Sequence, residues 1–454
     1  MVKARGAAIL SLAALTGCLT AVDGLPLPPC QNGGGCAAGF ACSTVDFFCH
    51  PLADAGVDGG QPHDAGVDAG PDAGFDAGYD AGFDAGPDAG FDAGPDAGPV
   101  DAGCIAPGAA PGGITPRAWF ALAVDGANLL MASGAGTCEP LTSLALFETT
   151  GGQGSESKNG TTETAVGLAG GFVPGSSPPP PSPQLFLFGG AVNGLSGNAL
   201  AELDPYDDLS PSFGFQPLPL PLGWLASAPL PVQAPAPGGG SLTDVLFFLV
   251  GGQGASGDVS STLLIFDPLG TTPPKQGHWY QPDAGLPTAR SHLGAAIGPD
   301  GLLYAIGGQD DAGTPVAGVD AFNLAASCLN AIGVLDGGIL GDGDGGNAPC
   351  GWTTPTALPT PRTDLAVTTG PDGLIYTIGG LTAAGTTGVV EAYNPADGGW
   401  ITAPSLVLPR HGHGAATTSD GLIWVLGGVD ADGGVSGSVE VYDPASDGGW
   451  QATP

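Results

Sequence analysis

The sequence predicts an all-β fold built from a repeated unit of roughly 50 residues. One pattern occurs three times in the last third of the chain, over 290–352, 362–400 and 410–450. Each copy runs in the same order: arginine, a small apolar stretch, Asp-Gly, an apolar segment, Gly-Gly, a segment ending at Tyr or Phe, and tryptophan. The composition agrees, because 83 Gly and 45 Pro between short apolar runs favour many short strands and tight turns.

Each unit is predicted to contain four strands. The apolar segments Leu302–Ile306, Leu374–Ile378 and Leu422–Leu426 lie between Asp-Gly and Gly-Gly, as buried strands entered and left by tight turns should. The next segment, such as Val439–Tyr442, alternates apolar and polar residues, and the tryptophan marks a last strand.

These residues resemble the kelch repeat, whose four-stranded unit forms one blade of a β-propeller. The resemblance rests on glycine pairs, tyrosines and tryptophans: Gly307-Gly308, Gly379-Gly380, Gly427-Gly428, Tyr304, Tyr376, Tyr393, Tyr442, Trp352, Trp400 and Trp450. Glycine pairs let strands bend without a Cβ clash, and the aromatic rings fill the wedge between sheets.

Three degenerate copies precede the clear ones. Their segments are Leu246–Val250 with Gly251-Gly252 and Trp279, Leu185–Phe188 with Gly189-Gly190 and Trp224, and Arg117 with Leu129–Ser133 and Gly134 alone. The resemblance therefore implies a six-bladed kelch-type propeller over residues 104–454.

All four arginines of this region occupy the first position of the repeat, at the start of the innermost strand: Arg117, Arg290, Arg362 and Arg410. The second and third copies have no arginine there. Because the ring closes the last blade onto the first, we predict a crescent of arginines at one mouth of the central channel. By strand alternation, the residues two positions further on point the same way: Trp119, His292, Asp364 and Gly412. Of these, Trp119, His292 and Asp364 join the arginines in the candidate ligand-binding site.

Two interpretations of the crescent stay open. Kelch repeats often carry arginine here, where it can bond to carbonyls between blades. Alternatively, the guanidinium groups form an anion site for a carboxylate, sulfate or phosphate. No metal is predicted, because the spacing of His292, His411 and His413 suits no usual ligand set.

The charge and motifs favour a binding module. Only eight Lys and Arg residues occur in a chain of net charge −36, which excludes nucleic acid as a partner. No catalytic triad order, metal-ligand cluster or phosphate-binding glycine loop stands out, so we predict no cofactor. Kelch propellers often bind a partner on one face, so the resemblance implies a binding module for a protein or carbohydrate. We also expect the protein to be a monomer.

Two alternatives remain. Some kelch propellers act on sialic acids through arginines, so the crescent leaves a sugar-active enzyme open. A purely structural envelope component is the other. Kelch-type oxidases use a copper site of Tyr, Cys and His. The cysteines of this chain are predicted to be paired in disulfides, which argues against such a site.

Residues 1–18 are predicted to be an export signal. Lys3 and Arg5 precede the apolar stretch 6–15, which is too short to span a bilayer. The following Leu15-Thr16-Gly17-Cys18 resembles a bacterial lipoprotein lipobox, in which Cys18 is lipidated, although an ordinary secretory signal is the alternative. The lack of Asp after Cys18 favours the outer membrane, so we expect a lipid-anchored envelope or cell-surface protein that meets the membrane through its anchor alone.

The remaining eight cysteines are an even number in an exported chain, which indicates disulfides. Four lie within residues 19–52, in a segment that partly resembles an EGF-like module: Cys30, Cys36, Cys42 and Cys49. Their pairing is open, and zinc is the alternative. Local pairing is the simplest prediction for the others: Cys104 with Cys138 and Cys328 with Cys350.

Residues 53–103 are predicted to be a disordered tether with a four-residue Asp-Ala-Gly repeat. The stretch holds twelve Asp and no Lys or Arg, so like charges repel, and its Gly and Ala residues bury nothing, so the segment cannot form a core. Calcium binding is the alternative, but its loops need acids at every second residue.

Overall fold

The computed structural model describes a set of segments that spans most of the repeat region: residues 40–42, 49–51, 115–137, 141–157, 165–174, 183–192, 195–197, 200–203, 217–235, 241–268, 277–283, 285–325, 328–329, 351–446 and 448–453. The described part is an all-β propeller with almost no helix. None of its helical residues forms a helix long and apolar enough to cross a membrane.

The chain divides into two compact units, 1–89 and 90–454. In the first unit, β1 (Phe40–Cys42) pairs antiparallel with β2 (Cys49–Pro51). The predicted signal at 1–18 and tether at 53–103 lie outside the described residues. So do most of the predicted disulfide cysteines: Cys30, Cys36, Cys104, Cys138 and Cys350. Cys328 is buried and disulfide-bonded, and its assignment to Cys350 stays a prediction.

The second unit consists of sheets arranged around a centre, which we number in chain order. Sheet 1 contains β3 (Ala121–Asp125), β4 (Asn128–Ala132), β5 (Leu144–Glu148) and β6 (Gln153–Ser157). Sheet 2 contains β7 (Val166–Val173), β8 (Gln184–Val192), β9 (Leu195–Ser196) and β10 (Leu200–Leu203). In the third group, β11 (Leu222–Gly223) pairs with β14 (Gln253–Gly254), and sheet 3 contains β12 (Ala226–Pro235), β13 (Ser241–Val250), β15 (Leu263–Asp267) and β16 (His278–Tyr280).

The last three sheets come from the clearest repeats. Sheet 4 contains β17 (Gly294–Ile297), β18 (Leu302–Ile306), β19 (Val319–Asn323) and β20 (Trp352–Thr353). Sheet 5 contains β21 (Ala366–Thr369), β22 (Ile375–Ile378), β25 (Val390–Asn394) and β26 (Gly399–Ala403), with the short pair β23 (Leu381–Thr382) and β24 (Gly385–Thr386). Sheet 6 contains β28 (Gly414–Thr417), β29 (Ile423–Leu426), β31 (Val439–Tyr442) and β32 (Gln451–Ala452), and beside it β27 (Arg410–His411) pairs with β30 (Val429–Asp430).

The expected count of six blades is wrong, because the structure indicates five. Five sheets are four-stranded meanders, in which each strand pairs with the one before it. Sheet 2 instead has the path β10–β8–β7, with β9 folded back on the end of β8. The predicted fourth strand at Trp224 does not exist, because Trp224 lies just before β12, at the entrance to sheet 3.

In the three clearest repeats the predicted strands are confirmed almost to the residue, whereas β13 begins five residues before the predicted Leu246. β18 and β31 have the predicted bounds, and β22 and β29 begin one residue later than expected. The tryptophans of the last strands pack against an aromatic residue of the third strand. The ring centroids are 4.7 Å apart in Phe266–Trp279 and 5.2 Å apart in Phe322–Trp352, Tyr393–Trp400 and Tyr442–Trp450.

A closed ring of backbone hydrogen bonds joins the inner ends of the sheets. The N–H of each member donates to the carbonyl of the member before it: Gly167 to Trp119 (2.9 Å), Trp224 to Gly167 (2.9 Å), His292 to Trp224 (2.9 Å), Asp364 to His292 (3.0 Å), Gly412 to Asp364 (2.9 Å), and Trp119 to Gly412 (2.7 Å). We call these residues the inner ring. All of them have left-handed backbone, with φ between 50° and 66°, a conformation that residues other than glycine rarely adopt.

The last sheet also packs directly on the first. Phe120 and Met131 of the first repeat form one buried cluster with Trp424 and Val439 of the last. The backbone N–H of Gly428 donates to the carbonyl of Arg117 at 2.8 Å. Residues about 300 positions apart in the chain thus close the propeller through both apolar contact and hydrogen bonds.

Replacement of Gly427 by alanine should weaken this closure. Gly427 has a φ of 65°, and a Cβ there would lie 2.4 Å from the carbonyl oxygen of Arg117. The matched control is Gly433→Ala, since Gly433 has a φ of 82° but open space around its Cβ position. Left-handed backbone alone costs a residue with a Cβ about 1–2 kcal/mol. In urea unfolding we therefore expect Gly433→Ala to lower the free energy of unfolding by that amount, and Gly427→Ala to lower it clearly more. Equal losses would contradict the steric role of Gly427.

Candidate functional site

The four arginines of the repeat are buried inside their own sheets. Their exposed fractions are 0–1%. Arg362 donates from Nη1 to the carbonyl of Val389 at 2.6 Å and from Nη2 to Oε2 of Glu391 at 2.8 Å. Burial lowers the pKa of Arg362 to about 10, so the side chain is protonated at neutral pH and forms an ion pair.

The same arrangement recurs in the neighbouring sheets. Nη1 of Arg290 lies 2.7 Å from Oδ2 of Asp320, and Nη2 of Arg410 lies 2.7 Å from Oε1 of Glu440. In sheet 1 the equivalent Arg117 donates to the carbonyl and the hydroxyl of Ser143 at 3.2 and 3.0 Å. These guanidinium groups therefore join the second and third strands of their sheets, where they satisfy carbonyl groups that face inward.

The sequence analysis missed the acidic partners. Asp320, Glu391 and Glu440 are each the second residue of the third strand in their sheet. Sheet 3 has Leu222 at the arginine position and Leu264 at the acid position, and both belong to one apolar cluster. The two charges occur together in sheets 4, 5 and 6 and are both lost in sheet 3, which was a signal in the repeat alignment; sheet 1 keeps Arg117 but has Ala145 at the acid position.

The predicted anion site at the arginines is therefore corrected. An anion needs free N–H groups on an accessible surface, and these guanidinium groups are enclosed and already bonded to the protein. Strand alternation fails because the residue two positions later has a left-handed backbone. The left-handed residue makes the two side chains point in different directions. The arginine side chain enters the sheet, and the inner-ring side chain borders the central channel.

The other predicted site residues do come together, at the mouth of the channel. A cavity of about 130 Å³ is lined by the inner ring and the residue that follows each of its members: Trp119, Phe120, Gly167, Leu168, Trp224, Leu225, His292, Leu293, Asp364, Leu365, Gly412 and His413. The side chains of the inner ring are half-buried. Apolar side chains form the deeper layer, with His413 in place of leucine or phenylalanine in the last repeat.

Trp119 and Asp364 are linked across the mouth. The indole Nε1 of Trp119 donates to Oδ1 of Asp364 at 2.9 Å. The intervening ring member is Gly412, where a Cβ would lie 2.6 Å from the same nitrogen. The indole therefore lies over Gly412, and only glycine permits this contact.

Trp224 has the equivalent relation to Gly167 on the other side. A Cβ at Gly167 would lie 2.5 Å from two carbon atoms of the Trp224 indole. This indole meets Trp119 edge to face with centroids 6.0 Å apart, and His292 stacks on it at 4.4 Å. Trp224 thus belongs to the candidate site and not to an outer strand as predicted.

The histidines at the mouth add no positive charge at neutral pH. Burial lowers the pKa of His292 and of His411, against the opposing charge of Asp364. Burial lowers the pKa of His413 well below its usual range, and the charge of Arg410 acts in the same direction. Among the described residues, no group of three or more His, Cys, Asp or Glu could hold a metal ion.

Comparison with known families agrees with this architecture. Residues 409–447 match the Kelch motif. This match and the propeller arrangement of the sheets support a kelch-repeat propeller, which is a general protein-interaction scaffold. No curated protein matches the sequence.

Replacement of Arg362 by methionine should destabilise the fold. It would leave Glu391, which is 6% exposed, as a buried carboxylate without its cation, and loss of one partner of such a pair costs about 3–5 kcal/mol. The double change Arg362→Met/Glu391→Leu should recover much of the loss, since sheet 3 carries leucine at both positions. Urea unfolding measures both. An unchanged free energy of unfolding in Arg362→Met would contradict the structural role.

Proposed function

We propose that the protein is a binding module of the cell envelope, and that the mouth bordered by the inner ring recognises a protein partner. The observation that carries the proposal is the half-open cavity at the mouth. Trp119 and Trp224 present aromatic surface there beside the carboxylate of Asp364. Concave sites with aromatic walls and few polar groups are typical of recognition sites.

The inner ring supports recognition because it is rigid. Each of its members is fixed by a backbone hydrogen bond on either side, so the side chains at the mouth lose little freedom when a ligand binds. Tryptophan is the residue type most often found at the energetic centre of protein interfaces. Two such residues within contact distance make the mouth the best candidate for the centre of an interface.

The proposal contains no catalytic step. The sugar-active enzyme considered from the sequence depended on arginines at the surface, and the four arginines of the described region are buried in ion pairs or bonded to backbone. A mouth made of indole rings, a carboxylate and neutral imidazoles is suited to hold a ligand.

The envelope location follows from the sequence. The apolar segment and lipobox-like Leu15-Thr16-Gly17-Cys18 support a lipid anchor, and the Asp-Ala-Gly repeat between 53 and 103 supports a solvated spacer. A flexible chain of that length spans about 40 Å. The propeller would thus face its partner at a distance from the lipid surface.

Replacement of Trp224 by alanine should abolish binding at the mouth. The test is a screen of the full chain against a random peptide library and a glycan array, followed by titration of every binder with the variants. We expect peptide binders that lose affinity at least about tenfold in Trp224→Ala, as for a central interface tryptophan, and much less in Trp224→Phe.

Ile401→Ala is the matched control. Ile401 is a large apolar side chain that is 52% exposed on the outermost strand of sheet 5, and its removal should leave binding unchanged. Thermal unfolding verifies that each variant is folded. The proposal would be overturned if nothing binds, or if binders do not distinguish Trp224→Ala from Ile401→Ala. Binders found only among the glycans would assign the mouth to a carbohydrate instead.

Replacement of Cys18 by serine should release the protein from the membrane. A thiol at this position is the only group that the lipobox-like segment offers for lipidation, and serine cannot take its place. Fractionation of a bacterium that expresses the full chain should show the native protein in the membrane pellet and Cys18→Ser in the soluble fraction. Persistent membrane association of Cys18→Ser would contradict the lipid anchor.

A further inference from the structure

We propose that the mouth binds a cationic side chain, lysine or arginine, in a basic segment of the partner protein. The inference rests on the proposed function and specifies the chemistry of its ligand. The arginine crescent predicted from the sequence favoured an anionic ligand, whereas this proposal favours a cationic one.

The walls of the cavity suit a cation. The indoles of Trp119 and Trp224 line the cavity, and cations bind best over tryptophan among the aromatic residues. Asp364 supplies a carboxylate beside them. Its Oδ1 accepts the hydrogen bond from Trp119, and Oδ2 accepts none from the described residues, so an ammonium or guanidinium group can donate to it.

Among the described residues that line the cavity, none is a lysine or arginine. The lowered pKa values of His292 and His411 keep both imidazoles neutral at physiological pH. The arginines behind the mouth are buried, and three of them are neutralised by an acidic partner within their own sheets. Asp364 is therefore the ionised side chain that a ligand in the cavity meets.

Exposed acids lie on hairpins that begin beside the inner ring. The hairpins between the second and third strands reach the inner ring, because Gln309 bridges to Ser291 and Val429 pairs with His411. These hairpins and their neighbour in sheet 3 carry exposed acids at their tips: Asp258, Asp311 and Asp432. Every Lys or Arg among the described residues is one of the four buried arginines. A basic partner is thus attracted from a distance, and an acidic one is repelled.

The size of the cavity favours one side chain over a whole small molecule. Its volume of about 130 Å³ is below the roughly 300–1,000 Å³ of typical small-molecule sites. The end of a lysine or arginine side chain can enter, while the backbone of the partner lies across the acidic hairpins. This geometry predicts recognition of a segment with several basic residues, one in the cavity and the others at the hairpins.

The test compares synthetic peptides of equal length in which lysine, glutamine or glutamate alternates with glycine. Calorimetry and tryptophan fluorescence measure their binding to the full chain at low and high salt. We expect the lysine peptide to bind, the other two to bind at least about tenfold more weakly, and the affinity to fall with salt.

Variants that remove one or two negative charges show which acidic side chains bind the lysine peptide. Asp364→Asn keeps an oxygen that accepts the hydrogen bond of Trp119 and should weaken lysine-peptide binding about tenfold, as loss of a charge-assisted contact does. Asp311→Asn/Asp432→Asn should mainly reduce the salt dependence. The matched control is Asp397→Asn, which removes an exposed charge from the turn between β25 and β26, at the other end of sheet 5, and should have little effect.

The outcomes separate this inference from the proposed function. If a neutral or acidic peptide binds as tightly as the lysine peptide and Trp224→Ala abolishes that binding, the mouth is a recognition site and the cation preference is wrong. Lysine-peptide binding that Asp364→Asn leaves unchanged also overturns the inference. If no peptide shows binding that depends on Trp224, both proposals fail.

Discussion

The closed ring of backbone hydrogen bonds between the inner ends of the sheets is the constraint on which the rest of the structure depends. Successive members are 48–72 residues apart along the chain, yet each donates to one neighbour and accepts from the next. The bond between Trp119 and Gly412 joins the first repeat to the last. Since every member must have a left-handed backbone, the ring also decides where the side chains on either side of it point.

That turn divides the repeat into a structural part and a variable part. Two residues before the ring, Arg290, Arg362 and Arg410 enter the sheets and form ion pairs with acids of the third strand. At the ring itself the side chain contributes nothing to its own sheet and is free to differ, as tryptophan, glycine, histidine and aspartate do here. Glycine at two ring positions is what lets the indoles of Trp119 and Trp224 lie across the mouth.

The sequence was most informative where local rules decide the structure. Asp-Gly and Gly-Gly bound β18 as predicted, β31 has its predicted bounds, and Trp400 and Trp450 occupy their expected places. It was misleading where a local rule is broken: alternation placed the arginines beside Trp119 at a surface, but a positive φ separates them. Trp224 was assigned to an outer strand because tryptophan ends each clear repeat. Spacing could not correct this, since 27 residues separate Trp224 from Gly251 where the clear repeats have 15 between the ring residue and Gly-Gly. The count of complete blades failed at sheet 2, whose repeat has lost its last strand signal.

Hydrogen exchange of the inner-ring amides measures whether the inner ring holds the propeller closed. If the ring is the closure of the propeller, the amide hydrogens of Trp119 and Gly412 can exchange only when the whole domain unfolds. We therefore expect the free energy of exchange of these two amides to equal the free energy of unfolding measured with denaturant. Exchange of these two amides at a much lower free energy, while the amides of β18 and β22 stay protected, would show that the first and last repeats separate easily and would contradict the account.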